Sequence, residues 1–243
     1  MKAIETKQLT KKFRTKTAVD AIDLSVEEGE LFALLGVNGA GKTTTIRMLT
    51  CLSVPTSGEA FVKGHSVTGE KTEVKRIIGI SPQDTAVADN LTVRENLAFM
   101  AEVYGFDRKK TEKRVNEMIE MFTFGEVENS RAKTLSGGWK RKLSIAMAII
   151  GEPELLFLDE PTLGLDVLAR RELWRSISKL KGKITIVLTT HYMEEAEALS
   201  DRIAVMINGK IAATGTLAEL EALTGKTGLE NAFIAIAEGD AEK

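Results

Sequence analysis

The run Gly36-Val37-Asn38-Gly39-Ala40-Gly41-Lys42-Thr43 limits what this chain can fold into more than any other feature. It matches Gly-x4-Gly-Lys-Thr in full and follows a continuous apolar run, Leu31-Phe32-Ala33-Leu34-Leu35. Such a run reads as a parallel strand buried on both faces. Residues 44–52 read as a helix, broken by Pro55-Thr56-Ser57-Gly58. Strand, glycine-rich turn and helix in that order form the context in which such a loop cradles phosphate. The glycines let backbone N–H groups converge on phosphate oxygens, and the helix adds its positive end. Lys42 reaches the β- and γ-phosphates as a point charge, and the Thr43 hydroxyl suits Mg²⁺, a hard cation that takes oxygen ligands.

Further polar residues stand where strands run out. Leu155-Leu156-Phe157-Leu158 ends in Asp159-Glu160, and ligands of open α/β sheets sit beyond the carboxyl ends of strands. Asp159 is placed to hold Mg²⁺, and Glu160 to polarise an attacking water. Gln83, after Ser81-Pro82, can touch Mg²⁺ or that water. His191, after Val187-Leu188-Thr189-Thr190, can donate to a γ-phosphate as charge develops. Ser136-Gly137-Gly138 opens a helical stretch over 139–150 and makes a second anion site from a hydroxyl, bare N–H groups and a helix dipole. One subunit needs only one such site for its own nucleotide. The second is best explained if it serves the nucleotide of a facing subunit.

Composition narrows the class. The 243 residues are 43% apolar, enough for a sizeable core, and a net charge of −2 argues against a general electrostatic grip on nucleic acid. A single cysteine, Cys51, excludes an internal disulfide. The first residues lack the apolar core of a signal peptide. No apolar run approaches the roughly 20 residues of a membrane helix, so the chain reads as soluble, reaching a membrane only through a partner.

Alternating side chains over 1–30 predict antiparallel strands with one wet face, and 59–80 reads as further short strands turning at Gly64 and Gly69. From 90 to 150 the period is helical, with a capping box at Thr92-Val93-Arg94-Glu95. The charge run Arg108-Lys109-Lys110, with Lys113 and Arg114, reads as a solvated helix face. Two late strands are joined by Asn208-Gly209, a hairpin signal. Residues 219–243 read as a short helix and a loose acidic tail. The whole predicts an α/β protein: a P-loop NTPase core with an antiparallel β subdomain and an inserted α-helical subdomain.

Taken together, these motifs resemble the ATP-binding subunit of ABC transporters over nearly the whole chain. The matches are Walker A at 36–43, the glutamine loop at Gln83, the signature at Leu135-Ser136-Gly137-Gly138, and Walker B with its glutamate at 155–160. Gly164-Leu165-Asp166 resembles the D-loop, His191 the switch histidine, and Phe13 the aromatic that stacks on adenine. Trp139 departs from the pattern, standing where glutamine is commonest. Lys140-Arg141-Lys142-Leu143-Ser144 and Thr190-His191-Tyr192-Met193-Glu194-Glu195-Ala196 resemble the drug- and lipid-exporting branch.

The resemblance implies an ATPase domain over 1–220, with the β subdomain at about 1–30 and 58–80, the helical one at about 90–150, and the core at 31–57 and 151–215. A C-terminal helix and tail occupy 221–243. It implies ATP bound by Phe13, by Gly36 through Thr43, and by Thr44. Ser136, Gly137, Gly138 and Asp166 reach the ATP of a second subunit, homo- or heterodimeric. Thr43, Gln83 and Asp159 hold Mg²⁺, and Glu160, His191 and Gln83 are catalytic. Two subunits clamping two ATP molecules drive transmembrane permease subunits from the cytoplasmic side of the membrane, with a permease helix docking over residues 84–101.

The competing reading is a soluble ABC-type ATPase acting on DNA or ribosomes, which usually shows coiled-coil insertions or paired cassettes. A phosphate-loop kinase or GTPase leaves Ser136-Gly137-Gly138 and His191 unexplained, and no Asn-Lys-x-Asp motif is present.

Overall fold

The structure is a computed structural model that describes residues 1–239. The chain opens with a long hairpin, β1 (Lys2–Phe13) and β2 (Lys16–Glu27), then enters β3 (Leu31–Leu35) and, through the phosphate loop, α1 (Lys42–Leu49). β4 (Ser57–Val62), β5 (His65–Ser66), α2 (Lys71–Ile77) and β6 (Ile78–Ser81) follow. Three helices come next: α3 (Val93–Val103), α4 (Arg108–Met121) and α5 (Gly137–Ile149). After them run β7 (Leu155–Asp159), α6 (Val167–Ser178), β8 (Thr185–Thr190) and α7 (Met193–Leu199). β9 (Arg202–Ile207), β10 (Lys210–Gly215), α8 (Leu217–Thr224) and α9 (Leu229–Glu238) complete the described chain.

Two sheets result. One is antiparallel, in the order β2-β1-β4-β5; the other has the order β10-β9-β3-β8-β7-β6. In the second, β9, β3, β8, β7 and β6 run parallel, and β10 turns back antiparallel. The β9–β10 turn places Asn208 at φ 48° and Gly209 at φ 84°, the pair of positive angles a tight hairpin demands.

The apolar runs behave as double-faced strands. Leu31, Ala33 and Leu35 of β3 join a core with helices α3 to α7 and α9, while Phe32 and Leu34 face a second core shared with β1, β2 and α1. Successive strand side chains point to opposite faces, so an unbroken apolar run fills two cores at once. At Gly79 in β6, a Cβ would lie 2.1 Å from the Ala148 carbonyl oxygen. Bare backbone at this position lets α5 pack tightly on the sheet.

Two element readings need correction. The strands expected over 59–80 stop at Ser66: Lys71–Ile77 is a helix, and Ile78–Ser81 pairs with β7 in the larger sheet. Its short apolar stretch is the edge of the parallel layer, which no local pattern reveals. The single helix expected after residue 219 is two helices, because Leu229, Phe233 and Ile236 of α9 complete the first core. Residues 240–243, the last of the expected acidic tail, lie outside the described residues.

Candidate active site

Four loops leave the larger sheet at the carboxyl ends of its parallel strands and meet. Gly36 follows β3, Gln83 follows β6, Glu160 follows β7 and His191 follows β8. Between them lies a cleft of about 490 Å³. Phe13, Asn38, Gly39, Gly41, Lys42, Thr43, Thr44, Gln83, Glu160 and His191 line it, with Lys16, Ala18 and Leu163, which the sequence did not single out. Gly41 has φ 113°, and a Cβ there would meet the Ala18 carbonyl at 2.4 Å. The loop therefore turns into α1 against the β2 backbone, where only glycine fits. Val37 is more than half exposed, and its carbonyl accepts from Lys42. Ala40 packs into the second core, with its N–H on the Val37 carbonyl.

Lys42 is 5% exposed, and its Nζ has three acceptors: the carbonyls of Gly36 at 2.7 Å and Val37 at 3.2 Å, and Glu160 Oε1 at 3.1 Å. Those match the three N–H bonds an ammonium carries. The other oxygen of Glu160, Oε2, lies 2.7 Å from His191 Nδ1. Glu160 thus joins the phosphate-loop lysine to the histidine after β8. Its backbone sits at φ 48°, a region few residues other than glycine occupy, with its N–H on the Thr189 hydroxyl. The strand end is held so that Asp159 and Glu160 point to different tasks.

Asp159 Oδ1 accepts from Thr43 Oγ1 at 3.1 Å and from Thr189 Oγ1 at 2.6 Å. A hydroxyl and a carboxylate oxygen on one spot are hard donors of the kind Mg²⁺ takes. No group of three His, Cys, Asp or Glu side chains among the described residues could hold a metal. A donor set so sparse suits an ion that keeps most of its ligands from phosphate and water.

Gln83 is held from behind. Arg141 of α5 donates to the Pro82 carbonyl at 2.7 Å and to the Gln83 carbonyl at 2.5 Å. Burial lowers the pKa of its guanidinium, while the charges of Asp159, Asp84 and Glu195 act the other way. The sequence offered no signal for this link beyond a basic residue within an apolar helix.

The second glycine turn faces elsewhere. Ser136 is the N-cap of α5, its Oγ accepting from the Trp139 N–H at 3.4 Å, and Asp166 caps α6 through the Ala169 N–H at 2.9 Å. None of Ser136, Gly137, Gly138 and Asp166 lines the phosphate cleft of its own chain. Trp139 turns its ring to Phe124, centroids 5.8 Å apart, and Lys142 lies 4.4 Å over it. Its side chain serves packing, and its N–H still completes the Ser136 cap. Phe13 is half exposed at the cleft rim with Lys11 5.0 Å over its ring.

Comparisons with known proteins identify the family. The family model described as ABC transporter matches residues 19–163. The chain is 44% identical over 225 residues to the daunorubicin/doxorubicin resistance ATP-binding protein DrrA of Streptomyces peucetius, covering 92% of this chain and 68% of that one. It is 43% identical over 217 residues to the human phospholipid-transporting ATPase ABCA3, covering 88% of this chain but only 13% of that much longer protein. A dimeric post-hydrolysis structure of the cassette MJ0796, bound to ADP and Pi, superposes with a TM-score of 0.79 at 25% identity, covering 88% of this chain and 98% of that one. By motif order, fold and matched length, this chain belongs to the ABC transporter family and is its ATP-hydrolysing cassette.

Proposed function

We propose that this chain works as one half of an ATP-closed pair of cassettes, each ATP held between the phosphate loop of one subunit and Ser136-Gly137-Gly138 of the other. The observation that carries this is the placement of the first turn of α5: a capped, glycine-bare helix end that does not line its own cleft. Helix N-termini of this kind attract anions, and the similar cassette structure bound to ADP and Pi is dimeric.

Within each cleft the roles follow from the contacts. The phosphate loop and Lys42 take the β- and γ-phosphates, and Phe13 offers its exposed face to adenine. Thr43 and Asp159, with Gln83 from the same cleft, would hold Mg²⁺. When bound, that ion neutralises phosphate charge. A γ-phosphate competes with Glu160 for Lys42, so loading the cleft releases one oxygen of Glu160. That carboxylate then accepts the proton of the attacking water. His191, held by the other oxygen, stands ready to donate to the phosphate as charge builds.

The names of the relatives point to an apolar or amphipathic cargo, a phospholipid for one and drug resistance for the other. No helix among the described residues is long and apolar enough to cross a membrane. In this reading passage falls to transmembrane permease subunits, with the cassette on the cytoplasmic face. The segment from Gln83 toward α3 is the proposed contact for a permease helix, because Arg141 ties its start to the signature helix.

The decisive measurement is size against nucleotide. Glu160→Gln with ATP and Mg²⁺ should elute as a dimer and as a monomer with ADP. A monomer under both conditions overturns the paired reading.

A further inference from the structure

Glu195, in the first turn of α7, is fully buried yet belongs to no phosphate contact. Its Oε1 accepts from Trp174 Nε1 of α6 at 3.1 Å. Oε2 is buried and makes no hydrogen bond, and the same is true of Thr162 Oγ1. The hydroxyls of Thr162 and Thr190 lie close enough to favour its ionised form, although only Trp174 bonds with standard geometry. Thr162 stands two residues after Glu160, and Thr190 immediately precedes His191. One carboxyl therefore faces both segments that carry the polar groups of the cleft and fastens to a third element.

We propose that Glu195 is a positioning residue for ATP hydrolysis, bracing the Glu160 and His191 segments against α6. The proposal rests on the roles given to Glu160 and His191 above. A lone donor is too little to support a charge in a fully buried site. Burial pushes the Glu195 pKa up and the charge of Glu160 adds to this, against the pull of Thr190, Thr162 and Trp174. The nearby cations do not pair with it: Arg141 is bound to the Pro82 and Gln83 carbonyls, and Arg170 lies 4.5 Å over Tyr192 and 3.9 Å from Glu194. In this proposal Glu195 acts in its protonated form, accepting from Trp174 and offering its own O–H toward the threonines.

The test is a comparison of Glu195→Gln with Glu195→Ala in a Trp139→Phe background, where Trp174 is the remaining tryptophan and reports on its own hydrogen bond. Glutamine keeps an acceptor and a donor. It should hold kcat within about 2-fold and leave the Trp174 emission in place. Alanine should lower kcat roughly 10-fold or more, the scale of an unsatisfied buried group, with ATP affinity unchanged and Trp174 emission shifted. Wild-type turnover by Glu195→Ala overturns the proposal. So does a glutamine variant as slow as the alanine one, since that outcome demands an ionised carboxylate. Should the alanine variant not fold, Trp174→Phe, with Trp139 retained, removes the same bond without touching Glu195. About a 3-fold loss of kcat at unchanged ATP affinity is expected, and full turnover overturns the brace. Glu160→Gln assayed alongside separates a failure here from a wrong assignment of the base.

Discussion

Lys42 has no spare N–H bond: two carbonyls and Glu160 occupy all three. In the proposed mechanism ATP takes one of these contacts, and Glu160 is the partner whose release would have a chemical use. Glu160→Gln should therefore slow hydrolysis by about 10²–10⁴-fold, the worth of a general base. It should also tighten ATP binding several-fold, because an amide holds Lys42 less firmly than a carboxylate. Turnover and calorimetric affinity measured on one preparation check both halves; normal hydrolysis would remove Glu160 from the mechanism. Glu195 makes a prediction in pH. Its folded pKa lies above the unfolded one, so its stabilising share is full below the unfolded pKa and is lost as pH rises through the folded pKa. Denaturant midpoints of wild type should fall relative to Glu195→Gln across that window. Parallel curves would mean that Glu195 has the same pKa folded and unfolded. The motif glutamate was legible in the sequence, because an acid at a strand end beside a phosphate loop has few other uses. Glu195 was not, since nothing local says that an acid in Glu194-Glu195-Ala196 turns inward.

Among the elements, α5 joins two loops of different purpose. Its first turn is the Ser136 cap, and one turn later Arg141 grips the backbone of Pro82 and Gln83. Arg141→Ala would remove the donor to the part-buried carbonyls of Pro82 and Gln83, at about 1 kcal/mol each. The expected outcome is a lower melting temperature and a turnover loss of about 10-fold or more, with Arg141→Lys restoring only part, because a point charge cannot span two acceptors as a fork does. Equal activity in all three proteins would show that the Gln83 segment needs no anchor. The Thr92 capping box was readable in advance and forms as expected, with Glu95 bonded to Thr92 in both directions. The charge run on α4 was readable only in part. Arg114 leaves the solvated face and donates to the carbonyls of Ile149 and Ile150, closing the end of α5. Periodicity marks a helix face but not the neighbour that covers it.

At the scale of the molecule, the cleft and the pocket at the signature helix end share no lining residue. Ser136→Glu places a negative charge where the partner's γ-phosphate is expected. It should abolish the ATP-dependent dimer in the Glu160→Gln background while leaving the affinity of the monomer for ATP unchanged, as size and nucleotide titration would show. A dimer that survives this change would place the second anion site elsewhere. The sequence by itself determined the phosphate loop, the buried parallel strands, the acid pair and the helix caps. These depend on residue type and short spacing, which fix backbone turns and periodic faces within a few residues. Only the tertiary structure decided that β6 joins the parallel sheet, that Lys42, Glu160 and His191 form one chain of contacts, and that Glu195 lies sealed behind them. Those are contacts between segments tens of residues apart, and their geometry is set by how the strands order in the sheet and the helices pack on it, which no local pattern encodes.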